Sequence, residues 1–355
     1  MAATQTGVGR GAKVTANLSG PAAERIVAQS LAHLLRLIRP DGRFIYAHPR
    51  GRPEVPFDGY NLLRHCGTLW FMLRAINDLT LDPGAEGWSA LGRALRYAGG
   101  KLHPPGWIAG DGPCLALVTR DAVKTGGVGQ ALVMLAEARR AVPRGLTLRG
   151  LPLSAEDTVT GLQHYALAQI SDGDFLHKRQ FSDGAVLPFR SDYYTGEVLL
   201  GLIVTDCRDA GMITVAETLL HRRYGVAEQS HWMAYAACEA CARGLLAPGL
   251  SETYLAALMT GIVENDSYRA RAASTPIACR TEALTRFLML DARHPGRFPP
   301  ALIAAARTVV RENLALQLGW YDAGQFWKGD GDDKVQIDYI QHNATAFLNL
   351  RLLGG

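Results

Sequence analysis

The sequence predicts an all-α protein, an (α/α)6 barrel of six helical hairpins with short β-hairpins in its rim loops. Apolar residues recur at helical spacing along most of the chain, in about twelve segments. These segments alternate between ordinary amphipathic helices and helices that are apolar nearly all round, and the second kind is typical of buried positions. The alternation repeats roughly every 50 residues, which is typical of stacked or closed helical arrays.

The helices are predicted in chain order, and the second of each pair is the inner one. Their expected ranges are 21–38, 60–77, 86–102, 124–142, 153–171, 192–205, 209–225, 229–243, 251–268, 278–291, 299–318 and 337–352. Pro21 stands at the start of the first, where proline is tolerated because the first N–H groups of a helix have no partner. Strands and helices do not alternate, so a parallel sheet is not expected.

Three connections from an outer to an inner helix are long and contain strand-like pieces. They are "DGRFIYAH" at 41–48, "GWIAGDGPCLALVTRD" at 106–121 and "GDFLHKRQFSDGAVLPF" at 173–189. Glycine followed by alternating apolar and polar residues predicts small hairpins. Long loops on one rim of a scaffold often carry function, so the site is expected on that rim.

Composition excludes two classes of partner. The 355 residues are 48% hydrophobic with a net charge of +4, and the arginines are scattered rather than clustered into a basic stripe. No run approaches the roughly 18 apolar residues of a membrane span. We therefore expect neither nucleic acid nor membrane as a partner.

Residues 1–20 are expected to form a flexible lead-in, and 21–355 a single barrel domain. The lead-in has no apolar core of the kind found in a secretory signal. The six cysteines are dispersed, which favours reduced thiols and a cytoplasmic location. The lone "CEAC" at 238–241 lacks the second pair that a structural zinc site needs, and is expected to be buried.

The candidate site follows from the predicted architecture. The inner helices of such a barrel run parallel, so their first turns converge on one mouth, each with unpaired N–H groups and a positive dipole end. The other ends of these helices are expected to be almost wholly apolar. The polar and aromatic residues of the first turns are Asp58, Tyr60, Asn61, Arg64, His65, Lys124, Tyr193, Tyr194, Glu197, His231, Trp232, Arg280, Glu282, Asp338, Tyr339, Gln341, His342 and Asn343.

Several of these residues lie too deep in their helices to be simple caps. Burying them is costly unless they are paired or face a wet cavity, so a polar funnel is expected. Glu197 and Asp338 are predicted to be the acid and base, with His65 and His342 as helpers. Glu282 is an acid/base candidate or a salt-bridge partner.

The remaining first-turn residues are predicted to bind substrate. A salt bridge from Arg64 or Arg280 to Glu197 is the alternative to catalysis. Arg64, Lys124 and Arg280 would suit an anionic sugar, since guanidinium groups bind carboxylates in a bidentate manner. The aromatic rings would stack on sugar faces, or would pack in the core.

Four segments carry a family resemblance. They are "GRFIYAH", "PFDGYNLLRHCGTLWFML", "YYTGEVLLGL" and "KVQIDYIQHNATAFLNL". The chain resembles the six-hairpin toroid proteins (glycosidases, uronate lyases and sugar epimerases), and among them bacterial proteins similar to the glucuronyl epimerase catalytic domain. The resemblance implies a hydrolase, lyase or epimerase acting on a carbohydrate. We expect an oligomeric or acidic sugar as the substrate, and no cofactor.

Other functions stay open on this scaffold. "DGDD" at 330–333 matches the DxDD pattern of class II terpene cyclases, although the segment is Gly-rich and is expected to be a solvated loop. Lanthionine cyclases are toroids with a Cys/Cys/His zinc site, and here Cys66, Cys279, His65 and His342 stand on neighbouring helix starts. A non-catalytic sugar-binding toroid is the third alternative.

Overall fold

The computed structural model describes residues 19–354, so the prediction for residues 1–20 lies almost entirely outside the described residues. All twelve predicted helices are present in this part of the chain. They are α1 (Gly20–Arg36), α2 (Leu62–Leu79), α3 (Gly84–Gly99), α4 (Thr125–Ala141), α5 (Ala155–Leu167), α6 (Tyr194–Val204), α7 (Ala210–His221), α8 (His231–Ala242), α9 (Leu250–Glu264), α10 (Ser274–Arg293), α11 (Pro300–Leu318) and α12 (Ile337–Leu353).

The even-numbered helices form a closed inner ring. Helix α2 packs on α4, α4 on α6, α6 on α8, α8 on α10, α10 on α12, and α12 returns to α2. The odd-numbered helices pack outside this ring, as α1 does on α12 and α11 on α10. This is the predicted alternation of outer and inner helices, and the predicted fold class is confirmed.

Glycines allow three inner helices to approach closely. A Cβ atom added to Gly129 in α4 would lie 2.3 Å from the carbonyl oxygen of Glu197 in α6. One added to Gly201 would lie 2.7 Å from the carbonyl oxygen of Gly129, and one added to Gly196 would lie 2.7 Å from the α8 backbone. Such distances are below any real carbon contact, so these positions require glycine.

The helix starts show how local chemistry sets the elements. Asn61 caps α2 by accepting from the Leu63 N–H at 3.0 Å, and Ser230 caps α8 by accepting from Met233. Asp58, a candidate cap, is instead exposed in the preceding loop. Helix α10 begins four residues before its predicted start, because Pro276 falls in its first turn and breaks no intrahelical hydrogen bond there.

Small antiparallel sheets lie at the rim of the barrel. The strands are β1 (Ala47–Pro49), β2 (Leu102–His103), β3 (Ala116–Thr119), β4 (Ala122–Lys124), β5 (Ile170–Ser171), β6 (Asp174–Phe175), β7 (Lys178–Gln180), β8 (Tyr321–Asp322), β9 (Gln325–Gly329) and β10 (Asp332–Gln336). The sheets have the orders β1-β10-β9-β8, β2-β3-β4-β7 and β5-β6. In the first, His48 is opposite Val335, so strands from the two ends of the chain pair beside the start of α12.

The solvated loop predicted for 330–333 is present only at Asp330 and Gly331, and residues 332–333 belong to a strand. Strands β9 and β10 form a hairpin there, and Asp330 and Gly331 make its turn. Asp330 accepts from the Trp320 indole N–H at 2.9 Å, and Asp332 pairs with Lys328 at 2.6 Å. These carboxylates serve the hairpin, which gives no support to the terpene-cyclase alternative.

The prediction that the far ends of the inner helices are apolar is also wrong. Arginine and acidic side chains from α2, α4, α8 and α10 line a large cavity at that end, as described below. The cysteines are free, and Cys238 and Cys241 are buried in α8 as expected. None of the described helices combines the length and the apolar character that a membrane crossing requires.

Candidate active site

A cavity of about 270 Å³ opens where the inner helices begin. It is lined by side chains from the first turns of α2, α6, α8, α10 and α12, with Gln130 from α4. The predicted residues that line it are Asn61, Arg64, Tyr193, Tyr194, Glu197, His231, Trp232, Asp338, Gln341 and His342. The convergence expected from the sequence therefore exists. It gathers ten side chains from a predicted set that runs from Asp58 to Asn343, over 286 positions of the chain.

Two histidines lie edge to face in the wall of this cavity. The ring centroids of His231, from α8, and His342, from α12, lie 5.2 Å apart at an interplanar angle of 83°. His231 also packs on Trp232 at 4.9 Å between ring centroids, and its Nε2 atom has no hydrogen-bond partner among the described residues. A buried nitrogen without a protein partner calls for an explanation, such as an ordered water or a bound ligand.

The two histidines have opposite electrostatic environments. Burial, helped by the nearby charges of His342 and Arg280, lowers the pKa of His231 well below its ordinary value. Burial acts in the same direction on His342, but the adjacent Cys279 sulfur and Glu282 carboxylate outweigh it and raise its pKa well above the ordinary value. These surroundings therefore favour the neutral form of His231 and the protonated form of His342.

Glu282 lies behind His342 and is fully buried. Its Oε1 atom accepts from His342 Nδ1 at 2.7 Å, and its Oε2 atom accepts from the Tyr235 hydroxyl at 2.5 Å. Tyr235 is itself fully buried, under the guanidinium group of Arg286. The two hydrogen bonds fix the carboxylate, which fixes the His342 ring and directs its Nε2 atom away from Glu282.

Glu197 projects from α6 into the same cavity and is 3% exposed. Burial raises the pKa of its carboxyl group to about 8, although the Gln130 amide, His342 and Arg64 act in the opposite direction. Gly126 of α4 leaves the space that this carboxyl group occupies, since a Cβ atom there would lie 2.1 Å from Glu197 Oε2. At neutral pH Glu197 is a protonated acid with a proton to donate.

Arg64 and Asp338 form an ion pair on one wall. The Arg64 Nε atom lies 3.0 Å from Asp338 Oδ2, and Arg64 Nη1 donates to the Tyr46 hydroxyl at 2.8 Å. Asp338 also accepts from Gln336 at 2.5 Å through Oδ1. The salt bridge that the sequence suggested for Glu197 is thus made by Asp338, whose two oxygens are both engaged.

Several predicted site residues lie outside the cavity lining. His65 is fully buried between the Tyr60 hydroxyl (2.6 Å) and the Ala94 carbonyl oxygen (3.0 Å), and burial lowers its pKa to about 4. Both ring nitrogens are therefore used inside the protein. Arg280 donates to the Gln229 side chain and the Glu228 backbone.

Five predicted residues also have structural or peripheral positions. The Lys124 ammonium group lies 5.9 Å from the Phe189 ring centroid, and the Tyr339 ring lies under Lys334. Asn343 donates to the Tyr339 carbonyl oxygen within α12. Asp58 and Tyr60 precede α2, and of the two only Tyr60 is part of a described hydrogen-bond network.

Gln130 was missed by sequence reasoning. It lies in the Gly-rich segment "KTGGVGQAL" at the start of α4, yet it is 1% exposed and both its side-chain polar atoms lack described partners. A single glutamine inside an otherwise apolar inner helix is the signal that could have identified it. Ser191 and Thr275 also line the cavity and come from positions just before or at helix starts.

One group of side chains could hold a metal ion. The ligand atoms of His231, Cys279 and His342 all lie within 4.8 Å of one another. Cys66 and His65, which the sequence placed in a possible zinc set, are not part of this group; burial raises the pKa of the Cys66 thiol to about 12. Glu282 would support His342 in a metal site in the way that carboxylates commonly orient metal-binding histidines.

Comparison with solved structures places this geometry in a known fold. A D-mannose isomerase matches with a TM-score of 0.64 at 10% sequence identity, over 94% of this chain and 98% of that chain. The cellobiose 2-epimerase from Spirochaeta thermophila DSM 6192 matches with a TM-score of 0.60 at 14% identity, over 94% of this chain and 97% of that chain. The chain has the (α/α)6 toroid fold. No protein-family model and no curated protein matches the sequence of this toroid.

Proposed function

We propose that the protein is a carbohydrate-active enzyme that isomerises or epimerises a sugar by moving a proton at the carbon beside the sugar's carbonyl group. The observation that carries the proposal is the histidine pair. His231 and His342 face one cavity with their rings 5.2 Å apart, and Glu282 holds only His342. The names of the two similar toroids, an isomerase and a 2-epimerase of sugars, support this reaction class.

The pair supplies the two groups that carbon-acid chemistry requires. Neutral His231 accepts the proton from the carbon beside the carbonyl, and the electron pair of that C–H bond forms the carbon–carbon double bond of an enediol. Protonated His342 donates its proton to the carbonyl oxygen, which becomes a hydroxyl. For the isomer, His231 returns its proton to the former carbonyl carbon while the hydroxyl on the first carbon gives its proton to His342 and becomes the new carbonyl. For the epimer, Glu197, the other acid of the cavity, donates a proton to the opposite face of the first carbon, and the hydroxyl formed from the original carbonyl returns its proton to His342.

Other cavity residues assist in this scheme. Glu197, held neutral by burial, donates a hydrogen bond or a proton to a sugar oxygen. Asp338 orients the Arg64 guanidinium group so that it can donate to sugar hydroxyls. In this scheme Asp338 has a positioning role in place of the acid/base role predicted for it from the sequence. Trp232 and the half-exposed Tyr193 offer ring faces for the apolar side of a sugar.

The proposed substrate is a neutral sugar with one ring in the cavity. Of the three basic residues predicted to bind an acidic sugar, only Arg64 lines the cavity, and Asp338 already neutralises it. The volume of about 270 Å³ falls at the lower limit of small-molecule pockets. An oligosaccharide would therefore place its reducing end in the cavity and its other rings outside.

Deuterium exchange tests this reaction class directly. The protein is incubated in D2O with D-mannose, D-glucose and cellobiose, and the signal of the proton on carbon 2 is followed by ¹H NMR. We expect that signal to disappear for at least one sugar, and His231→Asn and His342→Asn to slow its loss by about 100-fold or more. His221→Asn, a change of an exposed histidine on α7, is the matched control. Hydrolysis of an oligosaccharide without exchange would contradict the proposal.

A metal-dependent enzyme is the second candidate, favoured by the His231, Cys279 and His342 group. Catalytic zinc commonly has three protein ligands and one open position. The two candidates exclude each other, since a protonated His342 cannot bind a metal. Metal analysis of the purified protein separates them: about one zinc per chain, lost in Cys279→Ser and His342→Asn, would overturn the acid/base pair.

A further inference from the structure

A second cavity, here called the distal cavity, lies at the other end of the inner ring, where α2, α4, α6 and α8 end. Its volume is about 660 Å³, more than that of the active-site cavity. Trp70 lies in its wall and packs against Trp232 of the active site at 5.7 Å between ring centroids, so the aromatic core separates the two cavities. Nothing in the proposed sugar chemistry uses this space.

The distal cavity has a surplus of positive charge. Six arginine side chains and four carboxylate side chains line it. Asp78 pairs with Arg74 at 3.2 Å and with Arg140 at 2.9 Å, and Glu239 pairs with Arg286 at 2.8 Å and with Arg243 at 3.5 Å. Asp78 and Glu239 therefore each form ion pairs with two arginines.

Two arginines at the mouth are left over. Arg139 and Arg293 are exposed, and neither forms an ion pair among the described residues. Both face the same cavity as the paired arginines. Their charges are not compensated by any carboxylate of the lining.

Deeper in the cavity, buried N–H groups have no acceptor. Arg74 is 3% exposed and donates to Asp78 and to Asn349 at 2.6 Å, but its Nη1 atom has no described partner. The Nε atom of Arg286 is buried without a partner as well. Burial and the like charge of Arg286 lower the pKa of Arg74, which is the effect of two cations held close together. Both guanidinium groups are ion-paired, so it is these single N–H groups that lack an acceptor; a buried N–H without one is costly and calls for an explanation such as an ordered water or a bound anion.

The ends of the inner helices explain why arginines lie near the distal cavity, but not why some of them are buried. The C-terminal ends of inner helices carry partial negative charge, which favours arginine nearby. This favourable interaction requires only a positive charge near the helix ends. Exposed arginine side chains would provide that charge equally well. The interaction does not account for the nearly full burial of the Arg74 guanidinium group, nor for the single N–H groups of Arg74 and Arg286 that lack an acceptor.

We propose that the distal cavity binds a small dianion of the phosphate type, either free or as the ester of a small molecule. Arg74 and Arg286 would donate to its oxygens from the floor, and Arg139 and Arg293 would approach from the mouth. Guanidinium groups match the geometry of phosphate oxygens, and dianions form the strongest such hydrogen bonds. The remaining volume, beside Trp70, Val133 and Leu200, would accommodate the organic part of an ester.

Calorimetric titration of the full chain with sodium phosphate at pH 7.5, against sodium chloride of equal ionic strength, tests this proposal. We expect saturable binding of one phosphate per chain, weakened about tenfold or more by Arg74→Gln and by Arg286→Gln. If a buried variant does not fold, Arg139→Gln and Arg293→Gln serve instead, and each should weaken binding severalfold. Glycerol 3-phosphate in a parallel titration separates the two sources: tighter binding of the ester assigns the site to esters, and tighter binding of phosphate assigns it to the free ion.

Arg307→Gln is the matched control, since Arg307 is exposed on the outer helix α11 and does not line the cavity. Its phosphate affinity should equal that of the wild type. Absence of saturable binding beyond chloride in the wild type would overturn the proposal. Equal affinity in the wild type and in all four arginine variants would overturn it too. Both results are independent of whether the protein exchanges sugar protons.

Discussion

Glu282 and His342, from neighbouring inner helices, are joined by a hydrogen bond of 2.7 Å at the inner wall of the active-site cavity. The carboxylate is fully buried and the imidazole nearly so. Because Glu282 occupies Nδ1, the Nε2 atom of His342 is the one left for a ligand. His231 has no carboxylate partner among the described residues, so the two rings differ in their surroundings.

Replacement of Glu282 by Gln should lower kcat about 100-fold or more, since His342 loses the charge that keeps it protonated. The pKa of His342 falls in this variant, so the alkaline limb of the pH–rate profile should move to lower pH. Steady-state kinetics of sugar conversion between pH 5 and 9 measures both effects. Glu264→Gln, which changes an exposed residue at the end of α9, is the matched control. An unchanged profile in Glu282→Gln would remove Glu282 from the scheme.

Tyr235→Phe should have a smaller effect on rate than Glu282→Gln. The change removes the hydroxyl that donates to Glu282 Oε2 at 2.5 Å, but leaves the bond from His342 to Oε1 in place. A buried carboxylate oxygen then lacks its donor, which should cost on the order of 1–3 kcal/mol of unfolding free energy. Chemical denaturation measures this loss, and wild-type stability in the variant would mean that Tyr235 does not support the carboxylate.

Glu197→Gln should stabilise the protein at high pH relative to the wild type. The folded-state pKa of Glu197 is about 8, above the ordinary value of 4.5, so the folded protein binds this proton more tightly than the unfolded chain does. The associated stability is complete below pH 4.5 and is lost as the pH rises through 8. Gln cannot ionise, so the variant avoids a loss on the order of a few kcal/mol.

Melting temperatures at pH 5 and pH 9 check the effect of Glu197. We expect the difference between Glu197→Gln and the wild type to be more favourable to the variant at pH 9 than at pH 5. The same variant should lose activity at pH 7, since Gln keeps the hydrogen-bonding shape but has no proton to give. Equal pH dependence of melting in the two proteins would show that Glu197 titrates normally.

Gly129→Ala should be strongly destabilising, by about 1–3 kcal/mol or more. Its Cβ atom would meet the Glu197 carbonyl oxygen at 2.3 Å, and that contact is with backbone, which cannot move aside without shifting α6. Gly106→Ala is the matched control, because a Cβ atom there meets nothing within 4 Å. Urea denaturation of both variants tests whether α4 and α6 pack as closely as described.

Much of the fold was predictable because it depends on local patterns. The inner helices are apolar nearly all round, and each has a neighbour with one polar face, so the order of outer and inner helices follows from the sequence. The convergence of Glu197, His231 and His342 followed from that order. The pattern could not predict which charged side chains form ion pairs with each other. Whether Arg64 pairs with Glu197 or with Asp338 depends on side-chain positions across the ring of inner helices.

The distal cavity was missed for a related reason. Arg74 lies within "TLWFMLRAI", where the surrounding apolar residues dominate any window average. Arg286 is similarly placed in α10 among Leu284, Phe287 and Leu288. A buried arginine within an apolar stretch is a signal in its own right, because such a charge needs a partner from another helix or from a ligand. His65 is the opposite case. It lies where a site residue was expected, but both its ring nitrogens form hydrogen bonds within the protein.

The most direct test of the central claim is a ¹⁵N NMR titration of histidine-labelled protein between pH 5 and 9, with His231→Asn and His342→Asn used for assignment. The account predicts that His342 remains doubly protonated above pH 6.5 and that His231 remains neutral below it, with no metal bound to either. Titration of both rings near pH 6.5 would contradict it.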